Sequence, residues 1–440
     1  MTPRTVGIQE RLPLPQAFPL ALQHLFAMFG ATVLVPWLVG LDTSVTLFTS
    51  GLGTLIYIFM TKGGIPAYLG SSFAFIAGLQ AIIGMQFAFG KIAPAERVGA
   101  AMAGCVVVGA IYVVVAAAIG KFGTGWIDRF LPPVVIGPVV MVIGLGLAQV
   151  AVAMATTGSG VAANLFDPTK YNGKFFAVAM AALAIAVVAA MFFKGFLGVI
   201  PILIGIVGGY VVAWFAGLVD LSGVRNASAV AVPPFTMPRL DWKSIVILAP
   251  VSLVVITEHI GHLIVTENVV GKKLVKDPGL HRSLAGDGVA TMVAGFLGGP
   301  PSTTYGENIG VMAVTRVFSV WVIGLAAIIA IALSFLPAVG LVIRSIPVPV
   351  MGGICILLFG IIASSGIRMI VEAGIDFSQT RNLIIASVIL VIGIGGAKIH
   401  LGGTEIGEMA LATYVGVLLN LVLPAAKGTP EGELSATPDV

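Results

Sequence analysis

An all-α polytopic membrane protein is what this sequence predicts, with fourteen spans in a 7+7 inverted repeat. Three observations lead there. Apolar residues make up 58% of the 440 and charged residues only 10%, whereas a water-soluble domain carries roughly 25% charged residues. Apolar runs of about 20 residues, long enough to cross a bilayer core, recur along the chain. The chain also matches itself. One shift lays Gln23-His24 on Glu258-His259, Gly51 and Gly53 on Gly286 and Gly288, Pro66 on Pro301, and Ser72-Phe73 on Glu307-Asn308. A slightly smaller shift lays Pro133, Gly137 and Gly144 on Pro349, Gly353 and Gly360.

The first seven spans are expected near 15–38, 44–61, 67–88, 97–119, 131–154, 173–192 and 196–218. A hydrophilic stretch, 219–242, separates them from 243–267, 283–298, 303–315, 317–338, 345–365, 382–397 and 405–424. The segments 67–88, 283–298, 303–315 and 382–397 are short, interrupted or rich in Gly and Pro. Residues 1–16 hold Arg4 and Arg11 but no clear cleavage site, so the run ending at Val39 reads as a retained first span. With the N-terminus inside, the larger share of the 23 Lys and Arg residues lies on the cytoplasmic side, which sets both termini there. The tail beyond Leu423 is rich in Pro, Gly, Glu and Ser and is expected to be disordered.

The small net charge of +4, with basic residues scattered and no aromatic interleaving, excludes nucleic-acid binding. Cys105 and Cys355 sit in apolar runs without CxxC or metal-ligand spacing. No metal or other cofactor is expected. The stretch EHIGH (258–262) lacks the glutamate between two histidines that a zinc helix needs, and no GxxxxGK loop is present. An enzyme and an ATP-driven pump are therefore set aside. A passive channel remains the rival reading.

Seven is odd, so the second set must enter the membrane in the opposite sense. Inverted repeats with helices broken near the midplane are a recurrent plan of secondary transporters. The candidate breaks are IPAYLGSSFAF (65–75) and PPSTTYGENIG (300–310). A half-helix start offers free N–H groups to anions or carbonyl oxygens. Glu307 lies in the second break, and Glu258 follows a largely apolar run in VSLVVITEHIGHLIVTENVV. His262, four residues on, shares a helix face with Glu258, whereas His259 points elsewhere. A charge at mid-bilayer costs at least ~2.5 kcal/mol, so two acids there imply a function. Carboxylates accept hydrogen bonds from ring N–H groups, and backbone N–H groups donate to ring carbonyls. The solute is then small, flat and neutral; a nucleobase, an amide and a short acid are not separated by this argument. Two acids facing one cavity suit proton coupling.

The stretches LQHLFAMFGATVLVP (22–36), GGIPAYLGSSFAFI (63–76), TEHIGHLIVTENVV (257–270), DPGLHRSLAGDG (277–288) and TTYGENIGVMAVTR (303–316) resemble the nucleobase–cation symporter 2, or nucleobase–ascorbate transporter, family, and its bacterial uracil branch above the others. The likeness runs from about residue 6 to 424. It implies a core domain from 1–130 and 241–340 and a gate domain from 131–220 and 341–424, with 425–440 as tail. It implies that spans 3 and 10 are discontinuous and carry short crossing strands. It also implies uracil import by proton symport through the bacterial cytoplasmic membrane, lipid contact, and a homodimer joined through the gate domains. By motif match, Glu258 and Glu307 would bind uracil, with the backbone N–H groups of Phe73 and Gly306 on its carbonyls and Ala31 beside the base. His262, with Glu258, would take part in proton coupling. Tyr305 would hold the crossing strand, and Gln23 and His24 would bracket the site. Phe359 stands where this branch commonly has tyrosine, which bears on selectivity. Xanthine, uric acid and ascorbate, substrates of other branches, rank below uracil.

Overall fold

A computed structural model describes residues 5–84, 90–158, 168–225, 227–401 and 404–424; the predicted tail from 425 lies outside them. The first part of the chain forms α1 (Leu14–Val39), α2 (Thr43–Met60), β1 (Leu69–Ser71), α3 (Ile76–Ile83), α4 (Ala95–Phe122), α5 (Gly125–Phe130), α6 (Pro133–Gly146), α7 (Ala148–Thr157), α8 (Gly173–Phe192) and α9 (Pro201–Phe215). Then come α10 (Ser222–Arg225), α11 (Trp242–Leu248), α12 (Val251–Val270), α13 (Leu280–Leu297), β2 (Ser302–Thr304), α14 (Gly306–Thr315), α15 (Val320–Ser334), α16 (Pro337–Arg344), α17 (Val348–Glu372), α18 (Thr380–Ile394), a β3–β4 hairpin (Ile399–Leu401 and Thr404–Ile406) and α19 (Glu408–Val422). Among the described residues seven helical stretches are long and apolar enough to cross a membrane, and α15 with α16, bent by 84°, makes an eighth.

Local chemistry sets the boundaries. Asp42 caps α2 by accepting from the N–H groups of Ser44 and Val45. Asn172 and Asp241 cap α8 and α11 in the same way. Left-handed glycines end α1 at Gly40, α12 at Gly271 and α13 at Gly298. Prolines precede both short strands: Pro66 lies before β1, and Pro300 and Pro301 before β2. The ring removes an N–H and bars a continuing helix.

The helices pack in two neighbourhoods. In one, α13 lies between α2 and α4, α15 packs on α1 and α2, and α3 meets α4 and α11. In the other, α17 packs on α6, α7 and α8, α8 on α9, and α18 on α6 and α19. The glycine-rich segment 283–298 lies within one continuous helix, α13. Its glycines serve proximity: a Cβ at Gly288 would stand 2.8 Å from the carbonyl oxygen of Gly109 on α4, so the two backbones touch. The predicted span 131–154 is interrupted at Leu147, where α6 gives way to α7.

The amino end is strapped along the segment after α14. Val6 N–H donates to the Arg316 carbonyl at 3.0 Å, Phe318 N–H to Val6 at 3.0 Å, and Val320 N–H to Ile8 at 2.8 Å. The Ser319 hydroxyl reaches the Glu10 carbonyl at 2.6 Å, and the Arg11 guanidinium lies 3.8 Å over the Trp321 ring. Val6 and Ile8 are buried by this contact.

Candidate functional site

Both predicted breaks meet. β1 and β2 pair antiparallel, with Leu69 opposite Thr304, Gly70 opposite Thr303 and Ser71 opposite Ser302. The pairing continues at each end, from Ser72 N–H to the Pro301 carbonyl and from Tyr305 N–H to the Tyr68 carbonyl, both at 3.0 Å. Three residues per strand cannot stand alone, so neighbouring helices supply the missing partners. From α2, Ser50 Oγ donates to the Leu69 carbonyl at 2.6 Å and Thr54 Oγ1 accepts from Leu69 N–H at 2.9 Å. From α13, Thr291 Oγ1 accepts from Ser302 N–H at 3.1 Å.

The strand faces divide the environment. Side chains alternate along a strand, so Ser302 and Thr304 share one face and Thr303 the other. On the first face Ser302 Oγ donates to Asp287 of α13 at 3.1 Å, and Thr304 Oγ1 lies 3.2 Å from His262 Nδ1 of α12. On the second, the Tyr305 ring covers Gly70. Its hydroxyl donates to the Ser71 carbonyl at 3.2 Å and meets Thr32 of α1 at 3.1 Å. Tyr305 thus links β1, β2 and α1.

Each strand then runs into a helical start. Phe73 opens a single 3-10 turn before α3, and Gly306 opens α14. The first N–H groups of such starts have no partner within the helix. Glu307 is the second residue of α14, where a carboxylate suits the helix dipole. Glu258 lies on α12 within electrostatic reach of Glu307 and of Asp287. His262 sits one turn along α12, and a Cβ on Gly306 would lie 3.4 Å from its Nε2. His24 of α1 accepts from the Asn308 amide at both Nδ1 and its carbonyl oxygen, each at 3.0 Å, fastening α1 to α14. The Gln23 Oε1 is buried with no bonding partner.

Beside Glu307 lies a space of about 20 Å³ lined by Phe26, Gly30 and Ala31 of α1, Leu203 of α9 and Leu358 of α17. Phe359 is buried next to Leu358, which is the α17 residue that lines the space. Thr304 meets His262, while the Thr303 hydroxyl is buried with no bonding partner. Sequence reasoning passed over Asp287. Its signal was an acid between Gly286 and Gly288 in an apolar run. His259, which points away from Glu258 and His262, bonds Asp287 Oδ2 through Nδ1 at 3.0 Å.

Paired strand ends, helix starts and partly buried acids among membrane-length helices define a multi-pass membrane transport protein. Residues 15–402 match the xanthine/uracil permease profile (Xan_ur_permease), described as a permease family. Over 431 residues the chain is 52% identical to the uracil permease of Bacillus caldolyticus, covering 96% of each chain. It is 47% identical over 422 residues to the uracil permease of Escherichia coli K12, covering 96% of this chain and 94% of that one. The transmembrane domain of a cyanobacterial bicarbonate transporter, BicA, superposes with a TM-score of 0.60 at 13% identity, over 94% of this chain and 99% of that one, a likeness of fold alone. The chain belongs to the nucleobase–cation symporter 2 family and is a permease, not an enzyme.

Proposed function

We propose that the protein imports uracil across the bacterial cytoplasmic membrane by proton symport. The observations that support this reading are the electrostatic reach of Glu258 to Glu307, which follows the β1–β2 crossing, and a chain about half identical to uracil permeases. Uracil is flat and neutral, with two ring N–H groups and two carbonyls. The carboxylates accept from the N–H groups, and the N–H groups of Phe73 and Gly306 donate to the carbonyls. Ala31 leaves room beside the ring. A proton carried by Glu258, with His262 next to it, accompanies the base, and its release inside weakens binding.

In this reading the repeat is inverted, seven spans on seven, with both termini cytoplasmic. The core is 1–130 with 241–340, and the gate is 131–220 with 341–424. The space beside Glu307 admits about one water, so a ring enters only when α9 and α17 draw away from α1 and α14. Core and gate therefore rock against each other, and gate domains of two copies form the dimer.

The test is uptake of labelled uracil, at several pH values, in cells without a native permease, with unlabelled nucleobases as competitors. Accumulation that collapses with the proton gradient supports the proposal. Equilibration without accumulation would make the protein a channel, and stronger competition by xanthine or uric acid would reassign the substrate.

A further inference from the structure

The His259–Asp287 pair takes no part in the reading above, yet both side chains are wholly enclosed, at 0% exposure. The pair belongs to a longer row of hydrogen-bonded side chains. A carboxylate only accepts, so His259 Nδ1–H donates to Asp287 Oδ2 and Ser302 Oγ–H to Oδ1. Nε2 of the same ring lies 2.7 Å from the Ser283 hydroxyl, which in turn lies 2.6 Å from the Tyr57 hydroxyl. At the other end the Thr291 hydroxyl donates to Ser302 Oγ at 2.8 Å while accepting Ser302 N–H. The row joins α2, α12, α13 and β2 and leaves none of these side chains unpartnered.

Serine, histidine and aspartate in one row also occur in hydrolases. Here Ser283 and Tyr57 are fully buried, so no substrate reaches a nucleophile. What the row reaches is the crossing strand. Ser302 shares its strand face with Thr304, the partner of His262, and the same chain continues into Gly306 and Glu307. The charge of Asp287 also acts on Glu258, and His259 acts electrostatically on His262.

We propose that His259 is a positioning residue for solute binding and coupling: it holds Asp287, and through Ser302 it sets β2 and the place of Glu307 opposite Glu258. The inference rests on the uracil–proton reading. Tyr57, Tyr112, Asp287, Glu258 and His262 are the titratable groups around His259 from the packed elements. A pH profile therefore reports on the whole cluster.

The experiment compares variants in proteoliposomes containing equal amounts of folded protein, reading uracil uptake against concentration and pH. His259→Ala is expected to raise the half-saturating concentration about tenfold or more, because misplacement remote from the reacting groups is costly, and to displace the pH profile. His259→Asn places an amide N–H toward Asp287 and is expected to restore most of both. If His259→Ala does not fold, Ser302→Ala decides. It removes one hydroxyl on the same path and is expected to raise half-saturation about fivefold, the effect of one lost hydrogen bond. Wild-type half-saturation and pH profile in His259→Ala or, where that variant does not fold, in Ser302→Ala would overturn the inference. So would an asparagine variant no better than alanine. Wild-type protein that fails to take up uracil would instead overturn the substrate reading, leaving the two failures distinguishable.

Discussion

Tyr305 occupies the space that a side chain at position 70 would fill: a Cβ built on Gly70 falls inside contact distance of the ring, at its hydroxyl-bearing end. Two strands from opposite ends of the chain thus interlock by one ring over one missing side chain. Gly70→Ala is expected to abolish uptake while leaving the membrane helices folded. Tyr305→Phe keeps the ring and loses its bonds to Ser71 and Thr32. It should cost about 1 kcal/mol for each lost bond and reduce uptake only partly. Transport assays paired with thermal unfolding in detergent would separate the two.

Glu258 and Glu307 are chemically alike but placed differently, one inside α12 and one at the start of α14. Glu307→Ala is expected to eliminate uracil binding in equilibrium measurements. Glu258→Gln keeps the shape and removes the titration, so residual uptake should no longer follow pH. Fully pH-sensitive uptake in that variant would place the proton elsewhere.

The Asn308 amide serves His24 twice, and both residues are buried. Asn308→Ala strands a ring nitrogen and a carbonyl, and should lower stability by about 1–3 kcal/mol. The loss should show as a lowered Tm, with weaker uptake because α1 is no longer fastened to α14.

Asp42 has two duties. Oδ1 caps α2, and Oδ2 accepts from the Arg344 guanidinium on α16. Asparagine keeps a capping oxygen but not the charge, whereas alanine keeps neither. Asp42→Ala is therefore expected to be less stable than Asp42→Asn by about 1 kcal/mol, the worth of an N-cap. Equal Tm values for the two variants would deny the capping role.

The helical membrane class was legible because hydropathy is written residue by residue, and the paired breaks because prolines and small polar residues interrupt apolar runs in matching places. Glu258 and Glu307 stood out since a charge in such a run is costly. Other features depend on contacts that hydropathy does not record. The purpose of the α13 glycines shows only once α4 lies against them. His259 looks like a lone polar residue until Asp287, on another helix, meets it. The β3–β4 hairpin is three residues to a strand, too short for an alternation pattern to register.

The strap formed by residues 5–12 has a practical corollary for anyone handling the permease. A fluorescent protein or purification handle fused directly before Val6 would compete with the backbone bonds to Arg316 and Phe318. It would thereby disturb the end of the helix that bears Glu307. Labels belong after residue 424, or behind a spacer long enough to let the leading segment seat itself first.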